Sequence, residues 1–151
     1  MRKLGLLATA LGNALLAVGC RGGDSSLGTI FPVSGKITLD NRPLTAQSTV
    51  VLFKPDAAKG NTSSLEPAGT VNPRGSYTLL TKGRKGAPPG WYRVAVTATE
   101  LGSDKPTGPR HRRPVPRSLV PSKYGQASTT DLMIEVVENP RPGAYDLRLS
   151  R

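Results

Sequence analysis

Sulfur, aromatic surface and acidic groups are all scarce in this chain. One cysteine, Cys20, excludes an internal disulfide, so no covalent staple holds the fold. One histidine, His111, leaves a zinc site without its usual three or four His, Cys or carboxylate ligands, and it stands between Arg110 and Arg112-Arg113, which repel cations. The ten acidic residues fall mostly at turns, without the cluster that calcium binding takes. No Gly-x-Ser-x-Gly pattern offers a nucleophile. These shortages lead to the expectation of a protein with no metal, no cofactor and no catalytic site. An enzyme with an unrecognised site stays open as an alternative, because counting acids does not say which of them pair.

Long helices have little support either. The 151 residues include 17 glycines and 14 prolines, both costly inside a helix. That composition suits short strands joined by turns, and the length suits one domain.

The longest apolar run is at the N-terminus. Met1-Arg2-Lys3 is a basic start, Leu4 to Val18 is broken only by Gly5, Thr9, Gly12 and Asn13, and Gly19-Cys20 follows. A basic start, an apolar stretch of about 15 residues and a small residue before the cut are the features of a secretory signal, and the run is short for a membrane span. Leu16-Ala17-Val18-Gly19-Cys20 resembles a bacterial lipobox, with Gly19 as the small residue and Ala17 where leucine is commoner. The resemblance implies cleavage of residues 1–19 and acylation of Cys20, which would become the first residue of the mature chain. The partner is then membrane lipid, and the location is the cell envelope, periplasmic or outer face. Residues 20–30, rich in glycine and serine, read as a flexible tether.

Beyond it, period-two alternation marks strands. Val33, Ile37 and Leu39 share one parity. Ser48 to Lys54 is a more continuously apolar strand that Pro55 stops. Glu66–Val71 reads as a short strand, and Ser76–Thr81 as another with Tyr77 and Leu79 on one face. Lys82–Gly90 reads as a loop. Trp91–Ala98 is the strongest strand, its Tyr92/Val94/Val96 face expected to be buried. Trp91 and Tyr92 could stack on sugar, but packing with at least one ring in the core is the preferred reading. Asp131–Val137 and Ala144–Leu149 complete about seven strands. The expected fold is all-β, a seven-stranded antiparallel β-sandwich over residues 31–150.

Three segments carry a family resemblance. Val33-Ser34-Gly35-Lys36-Ile37-Thr38-Leu39-Asp40-Asn41-Arg42-Pro43-Leu44, then Asn72-Pro73-Arg74-Gly75-Ser76-Tyr77-Thr78-Leu79, then Gly86-Ala87-Pro88-Pro89-Gly90-Trp91-Tyr92-Arg93-Val94 resemble the carboxypeptidase regulatory-like domains. Asn41 stands where glycine is usual, and Asn72 where aspartate is common. The resemblance implies a transthyretin-like sandwich, related to the Ig-like class, in a small bacterial lipoprotein. It implies no chemistry, since fold does not fix function. A small-ligand carrier of transthyretin type is a second alternative.

Charge is the remaining signal. The net charge is +11, and taking away Arg2 and Lys3 leaves +9. Residues 102–123 contain five prolines and read as a long exposed loop. Within it Lys105, Arg110, Arg112, Arg113, Arg117 and Lys123 occur with no acidic residue among them. Two readings stand side by side: a solvated basic loop, or a contact for an anionic envelope polymer, lipid headgroup or acidic protein. Nucleic acid is not expected, since no aromatic platform interleaves these charges.

Overall fold

The computed structural model describes residues 27–101 and 115–151. Among them the chain forms β1 (Ser34–Leu39), β2 (Arg42–Pro43), β3 (Ser48–Pro55), β4 (Ala68–Thr70), β5 (Ser76–Thr78), β6 (Leu80–Thr81), β7 (Arg84–Lys85), β8 (Gly90–Leu101), β9 (Pro116–Ser118), β10 (Met133–Val136) and β11 (Leu147–Leu149). Short 3₁₀ turns occupy Ala57–Lys59 and Ser122–Gly125.

The strands make two sheets packed as a sandwich. The larger runs β10-β8-β3-β4-β6-β7, with β9 beside the far end of β8. Its spine is the eight-residue antiparallel register of β3 on β8, from Ser48↔Thr99 to Pro55↔Tyr92. The smaller sheet centres on β1. β2 and β5 follow one another along one edge of β1, Ile37 donating to Gly75 and accepting from Leu44. β11 lies on the other edge.

Alternation explains the core. Ile37 and Leu39 from β1, Val51 and Phe53 from β3, Tyr92, Val94, Val96 and Ala98 from β8, and Leu147 and Leu149 from β11 are all buried. Each of the valine, leucine, isoleucine and phenylalanine side chains among them contributes roughly 1.5–3 kcal/mol by leaving water. Phe53 meets Tyr77 and Tyr92 in tilted pairs, at 6.4 and 5.7 Å between ring centroids.

The turns follow their residue types. Asp40 and Asn41 both take positive φ, 49° and 63°, closing the two-residue hairpin between β1 and β2. Asparagine at 41 therefore does the conformational work of a glycine. At the next turn Asn72 Oδ1 accepts from the amides of Arg74 (2.9 Å) and Ser76 (3.0 Å). An amide oxygen supplies what a carboxylate would, so the asparagine leaves the turn intact.

All four tyrosines are buried pins. The Tyr77 hydroxyl donates to the Tyr145 carbonyl at 2.6 Å, and the Tyr145 hydroxyl donates to the Val137 carbonyl and accepts from the Val137 amide. Tyr124 donates to the Ser150 carbonyl and accepts from its amide, and Tyr92 donates to Pro88. Three of the four thus fasten the C-terminal segment, whose own strand is only three residues long.

Several expectations change. β11 pairs with β1 in parallel, Ile37↔Leu147 through Leu39↔Leu149, against the antiparallel reading. The chain leaves the larger sheet at β10 and crosses to the smaller one, so it arrives in the direction of β1 rather than returning by a hairpin. Ser76–Thr81 is two strands in two sheets: β5 pairs with β1, β6 with β4. The expected 102–123 loop is not irregular throughout. Pro116–Ser118 pairs with β8, because that strand outruns β10 and its free edge needs a backbone partner. The expected tether through residue 30 also ends earlier, since Leu27 is buried and Phe31 is bridged to Ala87.

Candidate functional site

The residues singled out from sequence are only partly within view. Cys20, Lys105, Arg110, Arg112 and Arg113 lie outside the described residues. Arg117 is exposed on β9, across from Glu100 in the β8 register. Lys123 belongs to the 3₁₀ turn, with its ammonium 3.0 Å from Asp131 and 4.6 Å from the centre of the Tyr124 ring. The phenol of Tyr124 first, then the Asp131 carboxylate, holds the Lys123 proton more tightly than usual. Neither residue is the bare loop cation expected: each sits on an ordered element opposite an acid of its own chain.

Trp91 and Tyr92 divide as alternation requires. The Tyr92 ring is fully buried, and burial pushes its phenol up, with Asn61 opposing. Trp91 is half-buried on the outer face, with the Lys59 ammonium 4.0 Å from its ring centre. A desolvated contact of this kind is worth up to about 2 kcal/mol, an exposed one about half that or less. Around it Asp56 caps the Ala57–Lys59 turn by accepting from the Ala58 amide and meets Arg93 at 3.4 Å. Asn61 donates to the Trp91 carbonyl at 2.9 Å. Its side chain fills the space a Cβ at Gly90 would take, and Gly90 has φ +135°. The glycine before Trp91 is thus required twice over, by backbone conformation and by room.

Beyond Trp91 an open groove of about 560 Å³ runs between β10 and the loop that follows it, lined by Met133, Val137, Pro140, Arg141 and Pro142. Its lining also includes Glu135, so one acid and one base, Arg141, stand among mostly apolar residues. It could hold a planar or aliphatic group by contact. Among the described residues no three His, Cys, Asp or Glu side chains gather to hold a metal. No helix of the described residues is long and apolar enough to cross a membrane.

A second surface was missed in the sequence. Thr81-Lys82-Gly83-Arg84 is a two-residue hairpin, with Lys82 at φ 46° and Gly83 at φ 82°. Lys82, Arg84 and Lys85 all project into solvent from it. The available signal was a Lys-Gly pair between residues that can pair, but strands of two residues show no period. The returning strand leads into Gly86-Ala87, and Ala87 exchanges both backbone hydrogen bonds with Phe31, each 2.9 Å. Gly86, at φ +116°, lies so close to Phe31 and Ile30 that a Cβ there would stand 2.8 Å from the Ile30 side chain. The hairpin therefore sits beside the segment by which the chain enters the fold.

Compared with known proteins, the chain matches no family model, no curated protein and no solved structure.

Proposed function

We propose that the protein is an envelope lipoprotein, cut before Cys20 and held to a membrane by lipid on that cysteine, whose β-sandwich is a non-catalytic binding or structural module. The observation that carries the reading is the order of chemistry along the N-terminus: a basic start, an apolar run to Val18, Gly19-Cys20, and then a Gly/Ser-rich stretch up to the folded body at Leu27. Acyl chains on one cysteine suffice for attachment, since each buried methylene contributes roughly 0.8 kcal/mol and two chains hold stably.

The kinship with carboxypeptidase regulatory-like domains belongs to the same proposal. It is supported by the structural duty of each motif residue. Gly35 is pressed against the Tyr145 backbone, Asp40-Asn41 form the first turn, Gly75 takes φ +75°, and Gly90 takes φ +135° beneath Asn61. Tyr77 and Tyr92 are core pins. Every one of these roles builds the scaffold, which suits a module that presents surfaces rather than a reaction centre.

Growth of a bacterial host expressing the full chain with labelled palmitate tests the anchor. The label is expected on the protein in the membrane fraction and absent from Cys20→Ala. An unlabelled wild type, or a label that survives the substitution, would overturn it.

A further inference from the structure

We propose that the β6–β7 hairpin is the face by which the sandwich rests on anionic phospholipid, its cations Lys82, Arg84 and Lys85 meeting the headgroup phosphates. This rests on the lipid-anchor reading, and adds to it an orientation.

Three independent observations converge. The first is position. Between Cys20 and Leu27 lie Arg21 to Ser26, so a fully extended link reaches at most about 25 Å from a lipidated cysteine to the folded body. The body begins at Leu27 and is tied at Phe31 to Ala87, two residues after Lys85. The base of the hairpin thus lies within two residues of the bridge that fixes the entering segment, inside the reach of the link.

The second is charge. Lys82, Arg84 and Lys85 are exposed within four residues, and among the described residues none has an acidic partner within 4.0 Å. Lys54, Arg93, Lys123 and Arg151 are each paired with Glu66, Asp56, Asp131 and Asp40; other exposed cations such as Lys36, Arg42 and Arg74 also lack a pair among the described residues, but they stand apart in sequence and are not grouped three within four residues. A cation close to an anionic membrane is drawn to its headgroups, and three in one turn act together within a Debye length of about 8–10 Å.

The third is turn geometry. Lys82 occupies the left-handed region at φ 46°, where asparagine or glycine fits with less cost. A lysine there holds its charge at the tip of the turn, in the positive φ that a two-residue hairpin takes at that position.

The test uses the full lipidated chain, extracted from membranes and reconstituted into vesicles of phosphatidylcholine alone or with phosphatidylglycerol. Flotation reports first whether the protein is attached. Amine acylation by a membrane-impermeant reagent, read by mass spectrometry, then reports each lysine. On anionic vesicles Lys82 and Lys85 are expected to react on the order of tenfold more slowly than on neutral ones, while Lys36 and Lys54 are unchanged. Salt at 0.5 M, or Arg84→Glu, should remove the protection. Protein that does not float defeats the anchor reading, and the orientation falls with it. Protein that floats but shows equal labelling at Lys82 and Lys36, or protection at Lys105 instead, keeps the anchor and overturns the hairpin contact.

Discussion

Replacing Gly35 with alanine probes how the last strand is held against the first. A Cβ at position 35 would stand 2.7 Å from the Tyr145 carbonyl carbon and 3.0 Å from the Tyr77 ring, with the Tyr145 oxygen nearer still. Carbon atoms settle at about 3.5–4 Å, so the two backbones must part by roughly 1 Å. No flexible side-chain end can absorb that, because the obstacle is main chain. The shift pulls the Tyr145 carbonyl from the Tyr77 hydroxyl, a 2.6 Å bond in a buried site. Loss of that bond costs about 1–1.5 kcal/mol, and overpacking adds about 1–3 kcal/mol. The expected total is about 3 kcal/mol. At about 4 °C per kcal/mol for a domain of this size, Tm falls by about 12 °C. Thermal unfolding followed by Trp91 fluorescence or circular dichroism reads this directly. Tyr77→Phe alone should cost about 1 kcal/mol, and the two changes together should cost about 1 kcal/mol less than their sum, since both act on one carbonyl. A Tm within 2 °C of wild type for Gly35→Ala, or strict additivity with Tyr77→Phe, would refute the reasoning.

Thr49 is buried with its hydroxyl oxygen unpartnered among the described residues. Thr49→Val should be neutral or stabilise by up to about 1 kcal/mol in urea denaturation. Lys82→Asn relieves the left-handed turn and should stabilise by about 0.5–1 kcal/mol by the same measurement. Burial first, then the Asp146 and Tyr145 charges, raises the Tyr77 phenol above its ordinary value of 10.0. The unfolded chain then loses this proton before the folded one does, so the contribution is complete below pH 10 and drains away as pH rises above it. Urea midpoints should fall between pH 10 and 12, and fall less steeply in Tyr77→Phe.

Strands with enough residues to show a period were readable before any coordinates. The Tyr92/Val94/Val96 face of β8 and the Ile37/Leu39 parity of β1, continued by Val33 just before it, are buried as alternation requires. The glycine and asparagine turns followed from backbone preference at Asn41 and Gly75. Strands β6, β7 and β9, of two or three residues, carry no such period, and their pairing is set by what a longer neighbour leaves open. The parallel direction of β11 is likewise a tertiary outcome: nothing local in Leu147-Arg148-Leu149 says which sheet the chain crosses to. For the same reason the basic residues of 102–123 read as one group, while the fold places Arg117 and Lys123 on separate elements, opposite Glu100 and Asp131. The hairpin cations escaped notice because their place beside the entering segment depends on Phe31, more than fifty residues earlier, being bridged to Ala87.

The intact mass of the protein extracted from membranes, set beside that of Cys20→Ala, tests the central claim most directly. The account predicts a chain that starts at Cys20 and carries the added mass of acyl groups, with neither feature in the variant. A mature chain without acyl mass, recovered from the soluble fraction, would contradict it.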